Sequence, residues 1–224
     1  MRGAPWFRLR AVIPLRDTIP SARVPIVNYA IIALNVLVFW HEVSLGRHAE
    51  AFVMHYGLVP REFTFDTLLT SMFVHGGWMH LIGNMLYLYI FGDNVEDRLG
   101  HVRYLLFYFL CGAAAGATQS LTNPGSTVPM IGASGAIAGV AGAYLLFFPN
   151  ARVLTLVPVF IVLQIVEIPA VFFLGVWFLW QVVSGVATLG HDAGGVAVWA
   201  HVGGFMTGMV LGPALKRRAP VSEI

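Results

Sequence analysis

The chain has 224 residues, 58% of them hydrophobic and 11% charged, with a formal net charge of +2 and a mean hydropathy of +0.76. One soluble core of this size cannot hide so much apolar surface, so composition excludes an ordinary soluble domain and points to one membrane domain. The small net charge, with basic residues gathered toward the ends, gives no support for nucleic-acid binding, and the lone Cys111 excludes an internal disulfide.

In chain order, residues 1–23 carry Arg2, Arg8, Arg10, Arg16 and Arg23 between prolines. No compact apolar run there ends in a small-residue cleavage site, so the segment reads as a retained basic tail rather than a signal peptide. A first span is expected over Pro25–Trp40. From there to about Gly77, His, Glu, Arg and aromatics mix with short runs such as "LLTSMF", the pattern of an interfacial or partly re-entrant stretch. Further spans are expected over Trp78–Phe91, Val102–Leu121, Ile131–Phe148, Pro169–Leu189 and Val196–Leu211, each closed by Gly, Pro, Asn or charge. The segment Arg152–Ile168 is apolar but interrupted by Pro158, Gln164 and Glu167, and reads as interfacial. A span needs roughly 20 apolar residues to cross about 30 Å of hydrocarbon, so the length suits an all-α bundle of six transmembrane helices over residues 24–212, with a tail over 213–224.

With six spans, 11 of the 13 Lys and Arg residues fall on one side, and only Arg47 and Arg61, in the long first loop, fall on the other. Positive charge is retained in the cytoplasm, so both termini are expected there. All 11 acidic residues are expected in tails, loops or the interrupted segment. Spans 2, 4 and 6 then start from the outer face, and His80 and Asn84, Ser134, and His201 lie near those starts. At 1.5 Å per residue all four fall within about 10 Å of the outer surface, and His80 and Asn84, four apart, share a helix face.

Each of these residues has an ordinary reading. Ser134 alone is a small packing residue among Gly135 and Gly139, whose spacing, like that of Gly204 and Gly208, lets helices approach closely in lipid. "GASGA" also departs from the G-x-S-x-G nucleophile elbow, because Ala136 fills the last glycine position and no strand is expected before it. His80 and Asn84 could be interhelical hydrogen-bond glue, and His201 could cap a carbonyl. A hydroxyl, two imidazoles and an amide at one depth, however, make a functional site the better reading, since intramembrane ionisable groups are costly.

The stretches "HGGWMHLIGNM", "GASGAIAG" and "AHVGG" with "GFMTG" resemble, in their order, the motifs of the rhomboid family of intramembrane serine proteases. The resemblance covers roughly Val24 to Gly212. It implies a six-helix fold and hydrolysis of a peptide bond in or near the transmembrane segment of another membrane protein. It also implies Ser134 as nucleophile, His201 as general base, and His80 and Asn84 as oxyanion donors beside the Ser134 backbone N–H. Chemistry supports such a pairing on its own terms. A serine hydroxyl needs a base within hydrogen-bond reach, and imidazole, with an intrinsic pKa of about 6.5, suits that role near neutral pH. No carboxylate is placed to complete a triad, and Asp192 reads as a solvated loop charge, so a dyad is expected.

Two positions depart from some relatives. Ala138 stands where a tyrosine stacks on the histidine, so the sequence does not say how His201 is held. "FTFDTLL" stands in place of a Trp-Arg pair in the first loop. The loop "LGHDAGGVAV", with Gly190, Gly194 and Gly195, reads either as a mobile lid or as a plain connection. No H-E-x-x-H or other cofactor site is visible, so no metal or organic cofactor is expected. A non-catalytic adaptor or chaperone on the same fold is the second reading, and a solute transporter, which needs charged groups near the midplane, the third. The expected setting is a multi-pass protein of a prokaryotic plasma membrane, with transmembrane proteins as partners and the oligomeric state open.

Overall fold

Apolar runs closed by glycine, proline or charge become helices in the computed structural model, which describes residues 13–159, 162–187 and 196–217. The helices are α1 (Ile26–Ser44), α2 (Ala49–Tyr56), α3 (Thr67–Thr70), α4 (Trp78–Leu99), α5 (His101–Thr122), α6 (Ser134–Phe147), α7 (Ala170–Ala187) and α8 (Val198–Leu215). Among the described residues, α1, α5, α7 and α8 are long and apolar enough to cross a bilayer. Helix α4 has 22 residues but ends in Asp93, Glu96, Asp97 and Arg98. Helix α6 has only 14, about 21 Å at 1.5 Å per residue. Residues 188–195, which hold Gly190, Asp192, Gly194 and Gly195 of the loop read either as a lid or as a plain connection, lie outside the described residues.

The expectation of an all-α chain is corrected by a three-stranded antiparallel sheet in the order β1 (Ile13–Asp17), β2 (Arg152–Val159), β3 (Val162–Pro169). The segment read as interfacial is a hairpin, paired from Arg152↔Pro169 to Val159↔Val162, and part of the expected N-terminal tail adds the third strand. Its density of Val, Ile, Leu and Thr favours the pleated backbone, and Pro158 sits near the strand end, where a missing N–H is tolerated. Val153 and Thr155 of β2 are fully buried, while β3 is exposed along most of its length. The hairpin returns the chain to the bundle, with the Ala170 N–H donating to Ala151 O at 2.8 Å.

The placement of acidic residues is corrected too: Glu42, Asp93, Glu96 and Asp97 lie on helices, because α1 and α4 run past the predicted spans. All four accept from backbone N–H groups. Glu96, 2% exposed, accepts from the N–H groups of Val27 and Asn28 at 3.1 and 2.7 Å, satisfying the free amides at the start of α1. Glu42 accepts from the His75 N–H at 3.2 Å.

Helix α6 is the axis of the bundle. Gly135 to Tyr144 are all buried, as fits a helix that is apolar all round, and α4, α5 and α8 surround it. Its contact with α8 is backbone against backbone. A Cβ built on Gly204 would stand 2.0 Å from Gly135 O, and one on Gly208 would stand 1.9 Å from Gly139 O. Gly135 and Gly139 in turn face the Cβ atoms of Ala115 and Cys111 on α5, each 2.5 Å from the built position. Without side chains on these faces the helices meet at the distance that lipid-embedded packing rewards. Phe91, Tyr104, Tyr108 and Tyr144, all fully buried, belong to the same core.

Candidate active site

Ser134 is the first residue of α6, so its position is set by the chain that leads into the helix. Leu58 and Met130 exchange two backbone hydrogen bonds of 3.0 and 2.8 Å, and the Gly132 N–H donates to Ser71 O at 2.9 Å, fastening this approach to the long first loop. Gly132 has φ +108°, a conformation that side chains disfavour. A Cβ there would meet the His80 ring at 2.7 Å and Asn84 Nδ2 at 3.3 Å. His80 and Asn84 therefore sit against the backbone two residues before Ser134.

His201 arrives from the first turn of α8, whose free amides are partly served by Gln119 of α5, accepting from the Ala200 N–H at 3.2 Å. Its Nε2 lies 2.8 Å from Ser134 Oγ, although the two residues are 67 apart in the chain. His201 is 7% exposed. The other ring nitrogen, Nδ1, lies 2.8 Å from Oε1 of Gln181 on α7, which is itself 7% exposed. The amide oxygen can only accept, so Nδ1 carries the proton and Nε2 is left to accept from the serine hydroxyl. Trp177, one turn before Gln181, packs its ring 5.6 Å from the imidazole at 40°. Together Gln181 and Trp177 occupy the role left open by Ala138. A single Gln inside an apolar span was the available sequence signal, and its pairing with His201 required the fold.

Hydrogen-bond polarity can be followed through the other two residues. Gly76 donates its N–H to His80 Nδ1 at 3.3 Å, which leaves Nε2–H as the donor on the ring edge nearest Gly132. His75 Nδ1 lies 3.2 Å from Phe73 O, so it is the protonated nitrogen and its Nε2 accepts from Asn84 Nδ2 at 3.0 Å. That bond uses one amide hydrogen of Asn84 and leaves the second. His75, fully buried, was absent from the sequence-based candidates, although it opens "HGGWMH". A cavity of about 270 Å³ joins His80, Asn84, Ser134 and His201, and is otherwise walled by apolar residues including Leu174 and Trp177. A hydroxyl in hydrogen-bond contact with an imidazole, two side-chain donors and a helix-terminal amide thus face one apolar space. Such a set can carry acyl transfer. Asn84 is only 8% exposed.

A family model of the Rhomboid domain matches residues 62–218. Rhomboid protein 1, mitochondrial, of Saccharomyces cerevisiae is 30% identical over 200 residues, which are 82% of this chain and 51% of that protein. The rhomboid protease GluP of Bacillus subtilis is 32% identical over 126 residues, 54% of this chain and 24% of that protein. RHOMBOID-like protein 1 of Arabidopsis thaliana is 30% identical over 154 residues, 65% of this chain and 33% of that protein. The match thus spans about half the length of the yeast relative and a quarter to a third of the other two. With the domain match covering most of the chain and the helical bundle carrying its motifs, the chain belongs to the rhomboid family.

Proposed function

We propose that this chain is an intramembrane serine endopeptidase that cuts transmembrane protein substrates in or near their membrane segments, using a Ser134/His201 dyad. The observation that carries the reading is the 2.8 Å contact between Ser134 Oγ and His201 Nε2, made by an imidazole whose other nitrogen is already committed to Gln181. In the first step His201 Nε2 takes the hydroxyl proton as Oγ bonds to the scissile carbonyl carbon. The oxygen of the tetrahedral intermediate gains negative charge, which His80 Nε2–H, the second Asn84 amide hydrogen and the Ser134 N–H stabilise. His201 then gives its proton to the leaving amine, and a water molecule repeats the sequence on the acyl-enzyme. The neutral Gln181 orients His201 without burying a second ionised group in an apolar interior.

The chain crosses the membrane six times in this proposal, adding α4 and α6 to the four long apolar helices, with both termini cytoplasmic. The shortness of α6 fits this arrangement. A helix of about 21 Å in hydrocarbon of about 30 Å leaves its serine end roughly 10 Å below the outer surface when its other end is flush. The approach to Ser134 then dips into the membrane, where its backbone is paired with Leu58 and Ser71 rather than exposed to lipid.

Labelling of the detergent-purified protein with a fluorescent fluorophosphonate tests the dyad, followed by cleavage of a transmembrane substrate in liposomes. Wild type is expected to label and cleave. Ser134→Ala and His201→Ala should do neither, with melting temperatures near wild type. Cleavage by either variant would overturn the dyad, and a folded wild type that neither labels nor cleaves would favour the adaptor.

A further inference from the structure

A second and larger concavity, about 1400 Å³, opens at the far end of the bundle from Ser134, beside the C-termini of α6 and α8. Its wall holds Arg23, Arg98, Arg103, Lys216 and Arg217, with Asp97 as the one carboxylate among the described residues that line it. Five of the nine Lys and Arg side chains of the described residues thus converge from three separate parts of the chain. Among the described residues none of the five is within ion-pair distance of a carboxylate. Asp97 is engaged elsewhere, accepting from the Ala22 N–H at 2.5 Å and the Ser21 hydroxyl at 3.3 Å.

Neutral groups hold the cations without cancelling their charge. Arg98 lies 4.8 Å over the Phe148 ring, and Lys216 lies 5.8 Å over Phe147. Arg103 donates to Leu215 O and Lys216 O at 3.3 and 3.4 Å. Arg217 lies against Gly100, where φ is +79° and a Cβ would stand 2.4 Å from the guanidinium Nε. Like charges around one hollow repel each other, and an anion in the hollow relieves that repulsion.

We propose that this concavity binds the phosphate headgroup of an anionic phospholipid. Three features favour a lipid over a soluble phosphate. The hollow is far larger than one phosphate group, its wall includes the apolar Ile19, Phe148 and Leu215, and an exposed stripe descends from it along α5. Val102, Leu106 and Leu110, 82%, 53% and 41% exposed, lie at successive i, i+4 positions beginning next to Arg103, a track for acyl chains below a bound headgroup. Basic pockets at helix ends on one membrane face are suited to such headgroups. The site is remote from the serine chemistry and stands independently of it.

Native mass spectrometry of the full chain in a neutral detergent tests this with dioleoyl phosphatidylglycerol, dioleoyl phosphatidylcholine and glycerol 1-phosphate. Wild type should bind phosphatidylglycerol in preference to phosphatidylcholine. Affinity should fall on the order of a hundredfold in Arg98→Gln/Arg103→Gln/Arg217→Gln, while Arg47→Gln/Arg61→Gln, outside the concavity, should bind as wild type does. If the triple variant does not fold, Lys216→Gln/Arg217→Gln at the exposed end of α8 should still lower affinity roughly tenfold. Equal phosphatidylglycerol binding by wild type and a folded variant would overturn the site. Glycerol 1-phosphate binding as tight as the lipid would overturn the lipid source and assign the hollow to a soluble phosphate.

Discussion

At the scale of single residues, the polar groups that the structure brings to one cavity were legible and their support was not. Ser134, His201, His80 and Asn84 stand out because polar groups inside apolar runs are costly and few. Gln181 is just as polar, yet nothing local distinguishes an orienting amide from hydrogen-bond glue, since its partner is 20 residues away. The structure gives it a specific consequence. Gln181→Leu removes a neutral hydrogen bond to Nδ1 and frees the imidazole to change tautomer, so kcat should fall about five- to tenfold with KM little changed. Gln181→Glu keeps an acceptor at the same place and should recover most of the lost rate, while moving the acid limb of the pH–kcat profile because a carboxylate stabilises the imidazolium. Steady-state kinetics on a liposomal substrate reads both, and a profile unmoved by the carboxylate would argue against contact with His201.

Among the elements, the glycines of α6 and α8 and the small sheet carry the testable claims. Gly208→Ala places a methyl group 1.9 Å from Gly139 O if nothing moves, and a backbone carbonyl cannot yield as a side chain tip can. It should destabilise the fold by roughly 1–3 kcal/mol, read as a lowered melting temperature, whereas Gly83→Ala, with open space around its Cβ position, should be nearly neutral to stability. The sheet is tied to the bundle through Asp17 of β1, which accepts from the Tyr144 hydroxyl and from Asn94 Nδ2. Burial raises the Asp17 carboxyl above its ordinary value of 3.8, and the Tyr144 hydrogen bond only partly offsets it. The protonated form is therefore favoured in the folded state. Its stabilising contribution is full below pH 3.8 and is lost as pH rises through the elevated folded value. Asp17→Asn keeps an acceptor for Tyr144 and cannot ionise, so its melting temperature relative to wild type should climb as pH rises from 3.8 through the elevated folded value. A difference that stays constant as pH rises above 3.8 would argue against the buried carboxyl. The hairpin itself was misread because an apolar segment with scattered polar residues has the same hydropathy as a strand pair or an interfacial stretch, and only pairing with β1 tells them apart.

For the whole molecule, the proposed six-span arrangement would place Arg47 and Lys216 on opposite sides of the membrane. The only cysteine in the sequence, Cys111, is buried, so single substitutions report topology with little background. In intact cells a membrane-impermeant maleimide should label Arg47→Cys and spare Lys216→Cys, and labelling of Lys216→Cys alone would invert the orientation. The sequence by itself determined the membrane class, the approximate helices and the residues that resemble a serine protease's. Hydropathy, helical spacing and residue chemistry are properties of short stretches. Only the tertiary structure decided that Gln181 and Trp177 hold His201, that residues 13–17 and 152–169 form a sheet, and that Arg23, Arg98, Arg103, Lys216 and Arg217 share one hollow. Each of these joins segments distant in the chain, and such contacts arise from packing, which no local pattern encodes.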